Sequence, residues 1–349
     1  MRVREREALL EWYDRVARDL PWRRTRDPYA IWVAEIMLQQ TRVDTVIPYF
    51  GRFLARFPTA AALAAASEDE VLAQWSGLGY YRRARLLHAG VREVVLRYAG
   101  HVPEDAAARR SLPGVGRYTA GAIGSIAFDR EEALVDGNVA RVLARLRAIA
   151  TPLGRADTDA RLWAEAARLV RGRRPGALNQ ALMELGATVC TPASPRCAEC
   201  PVARACVALE SDRVAELPVV RAKKAPRAMA LVAVLATTAG APERFWLVRG
   251  DDALFGGLWG LPSAEGSDRA AARAALSAAG VRARLEREPV ATVTHVLTHR
   301  RLTVAVWRAR GARARATRRL VQVADLAGLG VSTLTRKLLG AAAAARGAS

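Results

Sequence analysis

The stretch SLPGVGR, residues 111–117, decides the fold of the first part of this 349-residue chain. It lies between two segments whose apolar residues recur at helical spacing. Two glycines two positions apart allow a tight turn, and they expose backbone N–H groups at the start of the next helix, where a phosphate can bind. The stretch therefore predicts a helix–hairpin–helix that grips a nucleic-acid backbone, and the alternative is an ordinary helical corner. The backbone-contacting residues would be Leu112, Gly114, Val115 and Gly116.

The charge balance favours a polyanionic partner. The chain has 54 basic and 34 acidic residues, a net charge of +20, which fits nucleic acid, although a compositional bias would give the same surplus. The only lysines are Lys223, Lys224 and Lys337, so none lies in residues 1–222. No apolar run reaches the ~18–20 residues of a membrane span, and the charged N-terminus does not resemble a secretory signal. We therefore expect a cytoplasmic, nucleoid-associated protein without a membrane partner.

The chain divides into two parts of different class. Residues 1–210 have mostly helical periodicity, residues 211–227 have the polar, proline-containing composition of a solvated linker, and residues 228–345 are rich in strands. The predicted helices cover residues 8–20, 31–40, 69–75, 82–98, 118–128, 139–149, 159–170, 268–279 and 332–344. The predicted strands cover residues 229–237, 245–249, 290–293 and 301–308.

The four cysteines lie within 17 residues, in the spacing C-x6-C-x2-C-x5-C. Such a cluster indicates metal binding rather than disulfides. Structural zinc sites usually present two close pairs, whereas this loop, residues 190–206, has one close pair and two wider gaps. A 4Fe–4S cluster fits that spacing better, and zinc or four buried thiols remain as alternatives. The ligands would be Cys190, Cys197, Cys200 and Cys206.

Two carboxylates are candidates for catalysis. Glu35 has Ile31, Trp32 and Leu38 at helical spacing, so it lies on an apolar face where its pKa rises, as suits a general acid. The alternative is a glutamate that extends to an arginine. Asp136 follows an apolar run and precedes a helix. Either Asp136 or Asn138 would serve as the N-cap of that helix, and the Asp136 carboxylate could also face a substrate.

These residues together resemble a known family. LPGVGRYTA (112–120), VDGNVAR (135–141) and the four-cysteine loop resemble the helix–hairpin–helix DNA glycosylases. WVAEIMLQQT (32–41) and GLGYY (77–81), with Tyr118, narrow the resemblance to adenine DNA glycosylases of the MutY type. The resemblance implies a mainly α catalytic domain over residues 1–210 with an iron–sulfur loop. It also implies that adenine mispaired with 8-oxoguanine or guanine is flipped out of double-stranded DNA and hydrolysed.

The resemblance implies roles for single residues. Glu35 would protonate adenine N7 and then handle the water, and Asp136 would stabilise the cationic sugar. Asn138 and Tyr118 would support these two carboxylates. The residues that would fill the gap or contact the lesion strand are Gln40, Thr41, Leu78 and Tyr80.

The second part resembles the α+β Nudix-like domain of the same family, which helps recognise 8-oxoguanine. GGLWGLP (256–262) carries this match, whereas residues 268–279 lack the acidic run that would hold magnesium for nucleotide hydrolysis. HVLTH (295–299) takes the place of the lesion-reading loop, which usually ends in Phe-Ser-His. Leu297 and Thr298 depart from that pattern, so hydrogen bonding by Thr298 and His299 is expected without the phenylalanine stack.

Two alternatives differ in class from a monofunctional adenine glycosylase. An abasic-site lyase of the endonuclease III type would have a lysine in place of Tyr118, because a Schiff base needs an amine. A non-catalytic DNA-binding protein would not need both Glu35 and Asp136. We expect a monomeric glycosylase that leaves the DNA strand intact.

Overall fold

The computed structural model describes residues 3–220, 225–250, 255–314 and 318–345. The chain forms two compact units. The first unit combines residues 1–65 with 86–222, and the second combines residues 66–85 with 223–349. No helix in the described part of the chain is long and apolar enough to cross a bilayer.

The first unit is helical, as the periodicity predicts. Its helices are α1 (Val3–Val16), α2 (Pro28–Leu38), α3 (Val43–Arg56), α4 (Ala60–Ala65), α6 (Arg82–Tyr98, whose first turn belongs to the second unit), α7 (Ala106–Ser111), α8 (Arg117–Ile126), α9 (Gly137–Leu146), α10 (Ala156–Val170), α11 (Pro175–Thr188) and α12 (Val207–Glu210). The predicted helices are confirmed with ends shifted by a few residues. The helices that were not predicted individually are α3, α4, α7, α11 and α12.

Helix α2 forms the centre of the first unit. The Asp27 carboxylate accepts a hydrogen bond from the Tyr29 N–H at 3.0 Å, and Pro28 occupies the first helical position. Every residue from 29 to 37 is buried, so the helix is enclosed on all sides. Its end is abrupt because Gln40 takes a left-handed conformation with φ 57°.

The second unit contains a mixed sheet with two longer helices. Its strands are β1 (Arg227–Thr238), β2 (Ala241–Arg249), β3 (Trp259–Gly260), β4 (Ser263–Glu265), β5 (Val281–Leu285), β6 (Ala291–Val296), β7 (Arg300–Ala314) and β8 (Arg319–Val321). Its helices are α5 (Glu68–Trp75), α13 (Arg269–Ala278) and α14 (Thr333–Ala344). Strands β1 and β7 pair in parallel, and the remaining pairs in the described residues are antiparallel.

Side chains of β1 alternate between two cores. Val232, Val234 and Ala236 pack with α13, whereas Ala233 and Leu235 pack with α14. This alternation follows from the two-residue period of a strand covered on both faces, which also explains why β1 is almost continuously apolar.

The segment at residues 211–227 differs from a solvated linker over its first half. Leu217 is buried, and its carbonyl accepts a hydrogen bond from Arg145 Nε at 2.8 Å. The Leu153 N–H donates to the Val219 carbonyl at 2.9 Å. These contacts hold the segment against the first unit, and the basic residues 221–224 lie outside the described part. The predicted domain limits, 1–210 and 228–345 with a linker between them, stay predictions. The two compact units of the structure follow a different division, since residues 66–85 pack in the second unit.

Candidate active site

Glu35 lies in the third turn of α2 with only 5% of its surface exposed. The Tyr118 hydroxyl, at the start of α8, donates a hydrogen bond to Glu35 Oε2 at 2.6 Å. Burial raises the pKa of Glu35 to about 7, and the negative charge of Asp136 acts in the same direction, against the Tyr118 hydrogen bond and the charge of Arg23. Glu35 is thus bonded to a tyrosine, whereas the alternative expected an arginine, and its raised pKa allows it to carry a proton near neutral pH.

Tyr118 stays a hydrogen-bond donor. Burial, the negative charges of Glu35 and Asp136, and its hydrogen bond to Glu35 raise the pKa of Tyr118 well above its ordinary value. Its hydroxyl also lies 3.7 Å from Met183 Sδ on α11. Because a phenol has no nucleophilic nitrogen, this position cannot form an imine.

Asp136 is the N-cap of α9. Its Oδ1 accepts the Val139 N–H at 2.7 Å, and its Oδ2 accepts the Asn138 side-chain N–H at 3.1 Å. Burial raises the pKa of Asp136, while hydrogen bonds from Val139 and Asn138 favour the carboxylate and oppose that rise. The N-cap interpretation is confirmed, and the same carboxylate lies close enough to Glu35 to raise the pKa of Glu35.

Arg141, which sequence reasoning did not select, fixes the amide of Asn138. Its Nη2 donates to Asn138 Oδ1 at 2.9 Å and to the Gly186 carbonyl at 2.6 Å, and its Nε donates to the Cys190 carbonyl at 2.7 Å. The available signal was its place inside VDGNVAR. A Cβ added at Gly186 would lie 2.6 Å from Asn138 Cβ, so only glycine leaves room for this approach.

The backbone before Asp136 lies directly against α8. A Cβ at Gly121 would lie 2.0 Å from the Ala133 carbonyl oxygen, and one at Gly124 would lie 2.3 Å from Glu132 Oε2. The buried Arg109 guanidinium also forms an ion pair with Glu132 and donates to the Ala120 carbonyl. The helix that carries Tyr118 and the loop that carries Asp136 are thus joined by backbone contact.

The hairpin has the geometry that its glycines indicate. Gly114 has φ 76°, and a Cβ there would lie 2.8 Å from Leu86 Cβ. Leu112 and Val115 are buried and hold the turn, whereas Gly116 is exposed as the N-cap of α8 and makes no side-chain cap. Exposed N–H groups at this helix start can receive a phosphate oxygen.

The residues after α2 form a polar turn. The Thr41 hydroxyl donates to the Gln39 carbonyl at 3.4 Å, and Gln39 Nε2 donates to Thr119 Oγ1 at 3.4 Å. Gln40 is exposed and Thr41 is partly exposed, so both side chains are available to a ligand.

The remaining predicted contact residues belong to the second unit. Tyr80, with φ 47° and 45% exposure, hydrogen-bonds through its hydroxyl to Thr298 Oγ1. Thr298 and His299 form the turn between β6 and β7, and the His299 carbonyl accepts the Arg227 N–H at 3.0 Å. Leu78 is buried, so its side chain is not presented to solvent.

The four cysteines are partly buried and free of disulfides. They line one cavity together with apolar side chains, among them Val142, Leu146, Leu185 and Val202. Arg145 Nη1 lies 3.4 Å from Cys190 Sγ and also donates to the Thr191 carbonyl at 2.8 Å. Within the described ranges, no group of three or more His, Cys, Asp or Glu side chains is arranged to hold a metal ion. Four thiols around an apolar cavity suit a group larger than one ion, and the Arg145 guanidinium lies against one of them.

Comparison with known proteins identifies the family. The sequence profile of HhH-GPD superfamily base excision DNA repair proteins matches residues 33–167. A solved thermostable thymine-DNA glycosylase is 30% identical, with a TM-score of 0.53, over 59% of this chain and 97% of that one. The chain belongs to the HhH-GPD superfamily. A Nudix-domain profile matches residues 233–341, so the predicted pairing of this HhH-GPD protein's helical domain with a Nudix-like domain is confirmed.

Curated adenine DNA glycosylases are similar to this HhH-GPD protein. The rat protein is 52% identical over an aligned length of 225 residues, and the match covers 61% of this chain and 44% of the rat protein. The Arabidopsis thaliana protein is 41% identical over an aligned length of 355 residues, and the match covers 86% of this chain and 56% of that protein. The chain thus spans about half the length of these relatives. The resemblance to the MutY type is confirmed.

Proposed function

We propose that this protein is a monofunctional adenine DNA glycosylase. The observation that carries the proposal is a pair of carboxylates in different environments: the buried Glu35, with a pKa of about 7, and the partly exposed Asp136, with two hydrogen-bond donors. A glycosidic bond breaks when the leaving base is protonated and the developing sugar cation is stabilised. The two carboxylates supply these two requirements, and the similarity to adenine DNA glycosylases supports adenine as the base.

The protonated Glu35 donates its proton to adenine N7. The electrons of the C1′–N9 bond then pass to the base, which leaves as neutral adenine. Tyr118 orients the carboxyl through its hydrogen bond to Oε2. The Glu35 carboxylate accepts a proton from the water that attacks C1′, and this transfer restores the acid.

Asp136 stabilises the sugar as it becomes cationic. Its negative charge is held in a fixed position by its hydrogen bonds, and a preorganised charge of this kind stabilises a developing cation. The Val139 and Asn138 donors hold the carboxylate in place without supplying a competing positive charge. The strand stays intact because Tyr118 is no amine and residues 1–222 hold no lysine.

The proposed substrate is double-stranded DNA with adenine opposite 8-oxoguanine or guanine. The exposed N–H groups at Gly116 would hold a backbone phosphate, with Leu112, Gly114 and Val115 shaping the turn. Gln40 and Thr41 of the first unit would offer polar groups to the DNA, and so would Tyr80, Thr298 and His299 of the second unit. A monomer suffices, since all these groups belong to one chain, and the net charge of +20 supports association with nucleoid DNA.

The proposal is tested with duplexes that carry A opposite 8-oxoguanine. The wild type should release adenine and leave a strand that breaks only after alkali, and borohydride should trap no covalent adduct. Glu35→Gln and Asp136→Asn should each lower single-turnover excision by at least ~10²-fold, the lower end for one general acid or one electrostatic stabiliser. Both variants should still bind the duplex.

Excision at near wild-type rate by either variant would contradict the assigned roles. A borohydride-trapped adduct would favour the endonuclease III-type lyase instead. DNA binding without any base release would favour a non-catalytic DNA-binding protein.

We also propose that the cysteine loop holds a 4Fe–4S cluster. The thiols of Cys190, Cys197, Cys200 and Cys206 would be its ligands, and the bound cluster would act as a structural crosslink of the loop. Arg145 supports this assignment because its guanidinium faces Cys190 Sγ and the loop carbonyls. Elemental analysis of anaerobically purified protein should find about four irons per chain. One zinc and no iron would contradict the proposal.

A further inference from the structure

Residues 66–85, here called the anchor segment, are separated in sequence from the rest of their unit. The residues before and after them belong to the first unit, whereas the anchor segment packs in the second. It contains α5 and the loop that carries Tyr80. The contacts between the anchor segment and the rest of the second unit fix the position of this loop.

Asp69 on α5 receives three donors from the second unit. Trp259 Nε1 donates to Asp69 Oδ1 at 3.2 Å, Arg249 Nη2 lies 3.2 Å from the same oxygen, and Arg319 Nη1 donates to Oδ2 at 3.4 Å. Both guanidinium groups also lie over the Trp259 ring, at 5.8 and 5.7 Å from its centroid. Asp69 is 27% exposed, so these charge-assisted bonds are only partly screened by solvent.

Backbone contacts fix the two ends of the loop. The hydroxyls of Ser76 and Tyr81 both donate to the Val331 carbonyl at 3.0 Å. A Cβ added at Gly330 would lie 2.5 Å from Leu72 Cβ, so α5 rests directly on the backbone beside Val331. The same backbone pairs with Trp259, whose N–H donates to the Gly330 carbonyl at 2.9 Å.

The loop between these ends presents Tyr80 in a restricted conformation. Its left-handed backbone is braced by Arg83, which donates to the Gly79 carbonyl at 3.2 Å and lies 5.4 Å from the Tyr80 ring centroid. The Tyr80 hydroxyl then reaches Thr298. Two chain segments more than 200 residues apart thus form one polar surface.

We propose that Asp69 is a positioning residue for recognition of the base opposite adenine. It acts through the anchor segment, because docking of α5 against Trp259, Arg249 and Arg319 sets the place of Tyr80 beside Thr298. The inference rests on the proposed function and adds to it that the second unit controls specificity by holding a loop from the first half of the sequence. Asp69 itself contacts no substrate.

The experiment measures single-turnover excision from duplexes with A opposite 8-oxoguanine and with A opposite guanine. The ratio of the two rate constants reports specificity. Asp69→Asn should lower this ratio about tenfold, the factor expected for loss of a charge-assisted hydrogen bond that positions a contact. Gly330→Ala should lower the ratio similarly. The added methyl group would clash with Leu72 and displace α5, while every polar group is kept. The matched control is Glu286→Gln, which removes a surface pair with Arg310 in the same unit and should leave the ratio within about twofold.

A double variant separates positioning from general damage. In a Tyr80→Phe background, Asp69→Asn should produce little further loss of the ratio, since both changes disable one surface. Two results would overturn the proposal. One is a double variant whose loss of the ratio equals the product of the two single losses, and the other is an Asp69→Asn variant with the same ratio as the wild type. Should Asp69→Asn fail to fold, Trp259→Phe, which removes only the indole donor and keeps a ring, carries the same expectations. Absence of excision by the wild type would count against the proposed function, a result distinct from an unchanged ratio.

Discussion

Two buried glutamates of the first unit, Glu35 on α2 and Glu184 on α11, have opposite electrostatic surroundings. Glu184 has no exposed side-chain surface, and its two oxygens accept hydrogen bonds from Arg18 Nε at 2.7 Å and from Arg23 Nη2 at 2.7 Å. Burial raises the pKa of Glu184, but the bonds from Arg18 and Arg23 outweigh this effect and lower it. Glu35 has only a neutral hydroxyl as its hydrogen-bond partner among the described contacts.

The comparison shows that burial alone does not decide the role of a carboxylate. With two guanidinium partners a buried glutamate is a fixed anion that joins chain segments, and with a phenol partner it exchanges a proton near neutral pH. Glu184 also compensates the charge of Arg23, whose field lowers the pKa of Glu35.

The largest expected effect concerns the fixed anion. Glu184→Gln should lower the free energy of unfolding of the first unit by about 3 kcal/mol, because it leaves Arg18 and Arg23 without their counter-ion. The value lies at the low end for a broken buried pair, since the Arg18 side chain is 40% exposed and can be hydrated. Urea denaturation followed by helical ellipticity measures the change.

A surface pair in the same unit provides the control. Asp14→Asn breaks the ion pair with Arg174, in which both side chains are 48% exposed, and should change stability by less than about 1 kcal/mol. Equal losses in the two variants would show that burial of Glu184 adds nothing to its ion pairs.

Glu35→Gln should change stability in the other direction. The pKa of Glu35 is about 7 in the folded protein against 4.5 as its ordinary value, so the folded state holds the proton more tightly and stability declines as the pH rises from 4.5 to 7. A glutamine has no proton to lose. At pH 8 the variant should therefore be more stable than the wild type by about 2–3 kcal/mol.

The difference should vanish near pH 4, where both side chains are neutral. Denaturation of the wild type and Glu35→Gln at the two pH values checks the sign. A stability gap that is the same at both would mean that the charge of Glu35 is not its cause.

The smallest expected effect is the pH dependence of excision. The acid form of Glu35 is consumed as the pH rises through about 7, so the single-turnover rate constant should fall about tenfold per pH unit above that value. Quench experiments at saturating enzyme, with DNA binding measured in parallel, follow this decline. A flat rate up to pH 9 is incompatible with Glu35 as the general acid.

Sequence patterns predicted most of the elements because their periods are strong. The apolar runs of β1 and α2 could be read directly, and so could the N-cap at Asp136. Among the missed helices, α3 begins without a side-chain cap and contains Pro48 in its interior, and α11 begins without a side-chain cap after Arg174, which is in a left-handed conformation. Local signals of this kind obscure a helix that tertiary packing stabilises.

The residues of the candidate site could be predicted from sequence motifs, but the hydrogen bonds that join them to the rest of the unit could not. Motifs named Glu35, Tyr118 and Asp136, but no local pattern indicates that Arg141 joins Asn138 to the cysteine loop. The same limit applies to the anchor segment. Its acidic helix has an ordinary solvent-facing composition, and its partners lie far along the chain, where pairing depends on the folded topology.

The anchor segment has a consequence for synthesis of the chain. Trp259 follows Asp69 by 190 residues, and Val331 follows Tyr81 by 250. At translation rates of ~5–20 residues per second, the segment is synthesised roughly 12–50 seconds before Val331. Until then Leu72 lacks the Gly330 backbone against which it packs in the folded protein, so this contact of the anchor segment forms only late in synthesis.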